Sequence, residues 1–126
     1  MVSFVFLISS LFAQDQMAVT TKVFGNVEII KKTGSSLKLK EGSILSIGDQ
    51  IKTFRGSFAA IIFIDDRSIL KIKENSILTI NGQRKRGSIS KEINLQGGAL
   101  RAQVTDQNRK NFIIESSVSV ASVKGT

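Results

Sequence analysis

Beyond Gln16 the apolar residues come in short stretches, broken roughly every eight to ten positions by Gly, Asn, Asp or Ser, and this spacing is that of an all-β chain. Val27-Glu28-Ile29, Leu37-Lys38-Leu39, Ile69-Leu70-Lys71-Ile72, Ile77-Leu78-Thr79-Ile80, Ile93-Asn94-Leu95 and Val118-Ser119-Val120 tend towards period two. Each therefore reads as a half-buried strand with one apolar face. Phe58 to Ile64 is apolar throughout, which predicts a strand covered on both faces at the centre of the core. A helix needs apolar positions three and four apart over ten or more residues. No window after Gln16 sustains that before a Gly interrupts it, so almost no helix is expected there.

The expected reversals are Gly25-Asn26, Thr33-Gly34-Ser35, Gly48-Asp49, Arg55-Gly56, Asp65-Asp66-Arg67, Asn81-Gly82 and Gly97-Gly98, where Gly supplies positive φ and Asn or Asp tolerates it. Ser43-Ile44-Leu45-Ser46-Ile47, Ser68-Ile69-Leu70-Lys71-Ile72 and Ser76-Ile77-Leu78-Thr79-Ile80 share the pattern Ser-Ile-Leu-x-Ile. Repeated strand units stack as coils or pair as meanders. The fold expectation is thus a β-solenoid-like stack or a twisted β-sandwich, with the repeat favouring the stack.

At 126 residues and 41% hydrophobic content the chain suffices for one domain with one core. It contains no His, Cys, Trp, Tyr or Pro. The commonest general bases, thiol nucleophiles and transition-metal ligands are therefore missing, and no catalytic, cofactor or metal site is expected. Serine hydrolysis would lack its His, and no Ser-Lys motif stands in for it. A net charge of +8 favours anionic partners such as acidic envelope polymers, anionic lipid or nucleic acid.

Residues Met1 to Ala13, MVSFVFLISSLFA, form an uncharged apolar run that ends in a small residue before Gln14-Asp15-Gln16, as in a signal peptide. A membrane span would need about twenty apolar residues, and no stretch approaches that length, so no stable span is expected. The reading is an exported protein. Nucleic-acid binding in the cytosol would require this segment to be a strand instead. It would also call for aromatic residues among the basic ones, and the eight Phe lie mostly in apolar stretches.

Three clusters qualify as polar sites. Gln83-Arg84-Lys85-Arg86-Gly87 is the densest positive run, expected in an exposed loop after Asn81-Gly82, which makes Arg84, Lys85 and Arg86 the candidate contacts for an anionic partner. Asp65-Asp66 lacks the alternating oxygen ligands of a calcium loop and has Arg67 beside it, so it is expected as a solvated turn. Gly48-Asp49 is expected to form an Asx-type cap on backbone amides.

In order, the chain shows Gly25-x-Val27, Gly42, Gly48-Asp49-x-Ile51-x-Thr53, Gly56, Asp66-x-Ser68-x-Leu70, Asn75-Ser76-x-Leu78, Gly98-x-Leu100-x-x-x-Val104, Phe112-x-Ile114 and Ala121-x-Val123-Lys124-Gly125-Thr126. This ordered set resembles the FecR-like domain, named for a periplasmic regulator of ferric citrate uptake, and covers about residues 20–126. Arg67 stands where the family has a turn Gly, and Lys124 where it has Arg. The resemblance implies an all-β domain outside the cytoplasmic membrane, without a catalytic centre. It also implies structural roles for Gly48, Asp49, Asp66, Ser68, Gly98, Lys124, Gly125 and Thr126, and a further strand after Thr126. The family's regulators join such a domain through a membrane helix to a cytoplasmic segment. These 126 residues hold neither, so they are not expected to act alone as an anti-sigma factor. The expected function is a non-enzymatic periplasmic interaction or sensing module with an envelope protein or glycan as partner. The alternative is a structural envelope protein that holds acidic glycan or peptidoglycan on its basic surface.

Overall fold

The computed structural model describes residues 16–85, 88–104, 112–116 and 121–125. They form twelve strands and no helix. These are β1 (Gln16–Phe24), β2 (Val27–Ile30), β3 (Ser36–Lys38), β4 (Ile44–Ser46), β5 (Gln50–Thr53), β6 (Phe58–Phe63), β7 (Ile69–Ile72), β8 (Ile77–Lys85), β9 (Ser88–Gly97), β10 (Leu100–Val104), β11 (Phe112–Ser116) and β12 (Ala121–Gly125). One six-stranded sheet runs β12-β10-β7-β6-β1-β4 and the other β11-β9-β8-β5-β2-β3. Among the described residues the strands neither close into a barrel nor stack as a solenoid.

The solenoid expectation fails because the Ser-Ile-Leu-x-Ile units, which fall on β4, β7 and β8, do not pair with one another. β4 and β7 sit apart in the first sheet, while β8 belongs to the second. What the two later units share is burial: Ser68, Leu70 and Ile72 are buried like Ser76, Leu78 and Ile80. The repeat therefore marks two inward-facing strands on opposite sheets, not neighbouring rungs. Coil-like winding does occur at one end. The chain passes from β9 to β10 in the other sheet, back to β11 parallel to β9, and across again to β12 parallel to β10.

The two sheets share one core. Met17, Leu45, Ile61, Phe63, Leu70 and Ile72 of the first meet Val27, Ile29, Ile51, Leu78, Ile80 and Ile93 of the second in a continuous buried cluster. β6 lies inside its sheet between β1 and β7, as its composition predicts. Its inward face, Ala59, Ile61 and Phe63, is fully buried, whereas Phe58 and Ile62 on the other face are half-buried. Double coverage is thus partial.

The expected reversals fall between strands, except for Asn81-Gly82 and for Gly97, which ends β9 opposite Ile77. Asn81-Gly82 is strand, paired with Glu92 and Lys91, and the ladder runs on to Lys85 opposite Ser88. A Cβ at Gly82 would overlap the Ser90 carbonyl and meet Met17 Cε at 2.9 Å, so this Gly serves close backbone approach inside a ladder and not a turn. The signal-peptide segment 1–13, the strand expected at Val118-Ser119-Val120, Arg86 and Thr126 lie outside the described residues.

Arg67 takes φ 61°, the left-handed conformation that the family's Gly would supply. An L residue pays about 1–2 kcal/mol there. Arg67→Gly is therefore expected to raise stability by about 1 kcal/mol in urea unfolding, net of the extra chain entropy of Gly.

Candidate functional site

β9 alternates in and out of the core, and Ile89, Lys91, Ile93 and Leu95 all occupy its buried face. Period-two geometry thus delivers a lysine to a position flanked by apolar residues. Lys91 pairs with Gly82 of β8 on one side and Phe112 of β11 on the other, and its side chain is fully buried. Across the core, the turn that ends β6 supplies its partners. Lys91 Nζ donates to Asp65 Oδ2 at 2.8 Å and to Asp66 Oδ2 at 2.9 Å, and it also lies 2.7 Å from Asp65 Oδ1. The ammonium sits 5.4 Å from the centre of the Phe63 ring, whose edge contact with Phe112 spans 5.5 Å at 89°.

Asp65 and Asp66 are therefore not a solvated turn: their side chains keep 8% and 4% exposure. Local chain geometry imposes this. Phe63 accepts from Arg67 N–H at 3.1 Å and donates to Ser68 O at 2.9 Å, closing a tight turn that aims both carboxylates inward. Asp66 Oδ1 accepts Ser68 N–H at 2.9 Å, and Asp65 Oδ2 accepts Ile89 N–H at 2.9 Å. Burial pushes the Asp66 carboxyl up, but the Ser68 N–H and the Lys91 ammonium outweigh it and hold it below the usual aspartate value. Three charges buried together are costly to desolvate and persist only because each finds partners. Asp65 Oδ1 is the exception, buried without a hydrogen bond although Nζ is close.

At the Gly48-Asp49 element the aspartate side chain caps one backbone amide, three residues before it and not further along as in an Asx turn. Asp49 is buried and its Oδ2 accepts Ser46 N–H at 2.8 Å, while Lys31 Nζ pairs with the same oxygen at 2.8 Å. The backbone of this corner is tied to β8, because Gly48 N–H donates to Ile80 O at 2.7 Å and Ile80 N–H to Asp49 O at 2.9 Å. Beside it opens a cleft of about 630 Å³ between Lys31, Lys32 and Thr33 on one wall and Ile44 and Ile47 on the other. Asp49 lines the cleft as well and pairs with Lys31, so its polar wall carries both signs of charge beside the apolar one.

The remaining residues singled out by sequence are dispersed. Ser68 is fully buried, Gly98 lies at the corner between β9 and β10, and Lys124 and Gly125 pair in parallel with Gln103 and Val104. Arg84 and Lys85 are the last residues of β8, opposite Ile89 and Ser88, so this part of the basic run is strand and not loop. Of these, Ser68 belongs to the Lys91 cluster through its N–H to Asp66, whereas Gly98, Lys124, Gly125, Arg84 and Lys85 make no contact with it or with the cleft that the described residues show. Lys91 itself was missed. Its signal was available in Ile89-x-Lys91-x-Ile93-x-Leu95, where a charge interrupts an apolar face.

A sequence model described as FecR protein matches residues 49–126, a span that starts at the capping aspartate and contains Asp65, Asp66 and Lys91. A solved structure described as a cell surface anchoring domain is similar at 25% identity and a TM-score of 0.49, over 52% of this chain and 84% of that one. Among curated proteins none matches.

Proposed function

The chain belongs to the FecR protein family, and from that premise we propose that it is a non-enzymatic cell-envelope module, exported to the periplasm, that binds or senses a partner there. The match over residues 49–126 carries the reading. The absence of His and Cys from the sequence supports its non-catalytic part, since substrate turnover would lack the usual bases and nucleophiles. The apolar run at residues 1–13 supports export. Cell fractionation with mass determination of the mature N-terminus tests the export half. Recovery from the envelope with residues 1–13 removed is expected, and a purely cytosolic chain retaining them would overturn the assignment.

The alternative partner, an acidic glycan, is favoured by one observation. The β8–β9 ladder carries Arg84 and Lys85 to its far end, with Arg86 next in sequence. Exposed charge contacts contribute roughly 0.5 kcal/mol each, so replacing all three with Gln is expected to weaken cell-wall binding about tenfold at low salt. The difference should shrink at high salt, where such contacts are screened. Equal pull-down of both proteins at low salt would remove the hairpin from recognition.

A further inference from the structure

We propose that Lys91 and Asp65 are the reactants of a self-catalysed amide bond that links the two sheets. The geometry is that of a nucleophile against a carboxyl group: Nζ lies 2.7 and 2.8 Å from the two Asp65 oxygens, held by a side chain with no exposure. Such positioning converts a bimolecular condensation into a step with a high effective concentration. Burial against the Phe63 and Phe112 rings supplies the low-dielectric surroundings in which an ammonium and a carboxylate both lose hydration. Proton transfer from Nζ to Asp65 Oδ1, 2.7 Å away, turns that ion pair into a neutral amine and a carboxylic acid with its hydroxyl at Oδ1, and these are the reactive forms.

The two oxygens of Asp65 have unequal surroundings, and this assigns their fates. Oδ2 accepts Ile89 N–H at 2.9 Å. When the nitrogen lone pair attacks Cγ, the C–N bond forms and the carbonyl electron pair moves onto Oδ2, where that N–H stabilises it. Oδ1 has no hydrogen-bond partner and is the oxygen free to leave. Asp66 Oδ2, 2.9 Å from Nζ, takes a proton from the nitrogen and passes it to the Oδ1 hydroxyl. The Cγ–Oδ1 bond breaks, water departs, the carbonyl re-forms at Oδ2, and Asp66 ends as the carboxylate it began as. Amine and acid become amide and water with no change of oxidation state. Asp66 is suited to hold that proton only in passing, because Ser68 N–H anchors its carboxylate and its pKa lies below the usual aspartate value. The event occurs once per molecule, so it is compatible with a module that turns over no substrate.

Intact mass of the purified full chain under denaturing conditions tests the proposal. The expected mass is one water below that of the sequence from its observed N-terminus. Trypsin should then release residues 56–67 joined to residues 87–101, with Lys91 uncleaved. A full sequence mass overturns the proposal, as does cleavage after Lys91 to give two separate peptides. Lys91→Met should restore the full mass. Persistence of the deficit in that variant would place the dehydration elsewhere and overturn the link. These readouts are taken on denatured protein, so a folding defect in the variant does not obscure them.

Discussion

Lys91→Ala is expected to lose at least about 3–5 kcal/mol of stability, because the variant keeps Asp65 and Asp66 as carboxylates at sites of 8% and 4% exposure with no cation between them, and it also removes the proposed link. A single small domain has on the order of 5–15 kcal/mol in total, so the variant should be close to unfolding at room temperature. The cost comes chiefly from the uncompensated charge and not from lost packing. Neutralising the site as a unit, with Lys91→Met, Asp65→Asn and Asp66→Asn together, is therefore expected to retain clearly more stability than Lys91→Ala alone. Urea unfolding of the two proteins checks the order. A Lys91→Ala loss below about 1 kcal/mol would mean that water enters the site and hydrates the carboxylates.

The same residue marks the boundary of what the sequence discloses. Strand identity was legible at Val27–Ile29, Ile69–Ile72 and Ile77–Ile80 because one sheet face is buried, which forces alternation into the chain. The Asp49 cap was legible because its hydrogen bond to Ser46 N–H is local, three residues away. The Asp65-Asp66 pair was misread because its environment is set at a distance of 25 and 26 residues, by a lysine on the opposite sheet. Local composition around two aspartates and an arginine describes a surface turn; only the pairing of sheets shows that the turn points inward. Asn81-Gly82 failed for a related reason. The dipeptide favours a turn, but the ladder from Leu78 to Lys85 continues through it, and the need for a Gly came from the Ser90 carbonyl across the strand pair. Sheet assignment was equally illegible, since the Ser-Ile-Leu-x-Ile units encode an inward face without encoding which sheet they join.

Gly98→Ala is expected to cost about 3 kcal/mol or more, and the reason lies in how the chain leaves one sheet for the other. Gly98 turns the corner from β9 to β10 at φ +81°, and a Cβ there would overlap Ser76 Oγ and stand 2.5 Å from both the Asn75 carbonyl oxygen and Ser76 Cα. The conformation alone costs an L residue about 1–2 kcal/mol. The overlap adds more, because Ser76 cannot yield freely. Its Oγ accepts Ala99 N–H at 3.0 Å, its N–H donates to Thr53 Oγ1 at 2.9 Å, and Thr53 Oγ1 donates to Lys73 O at 2.6 Å. Displacing Ser76 breaks hydrogen bonds of buried groups, each a loss of about 1–3 kcal/mol. Gly34→Ala separates the two causes, for Gly34 has φ +98° but open space where its Cβ would go. It should show the conformational cost of about 1–2 kcal/mol and nothing further. Equal losses in the two variants would mean that the Ser76 knot relaxes without penalty. A larger loss at Gly98 would locate the family's Gly-x-Leu element in the contact between the β9–β10 corner and Ser76, with backbone freedom as the lesser requirement.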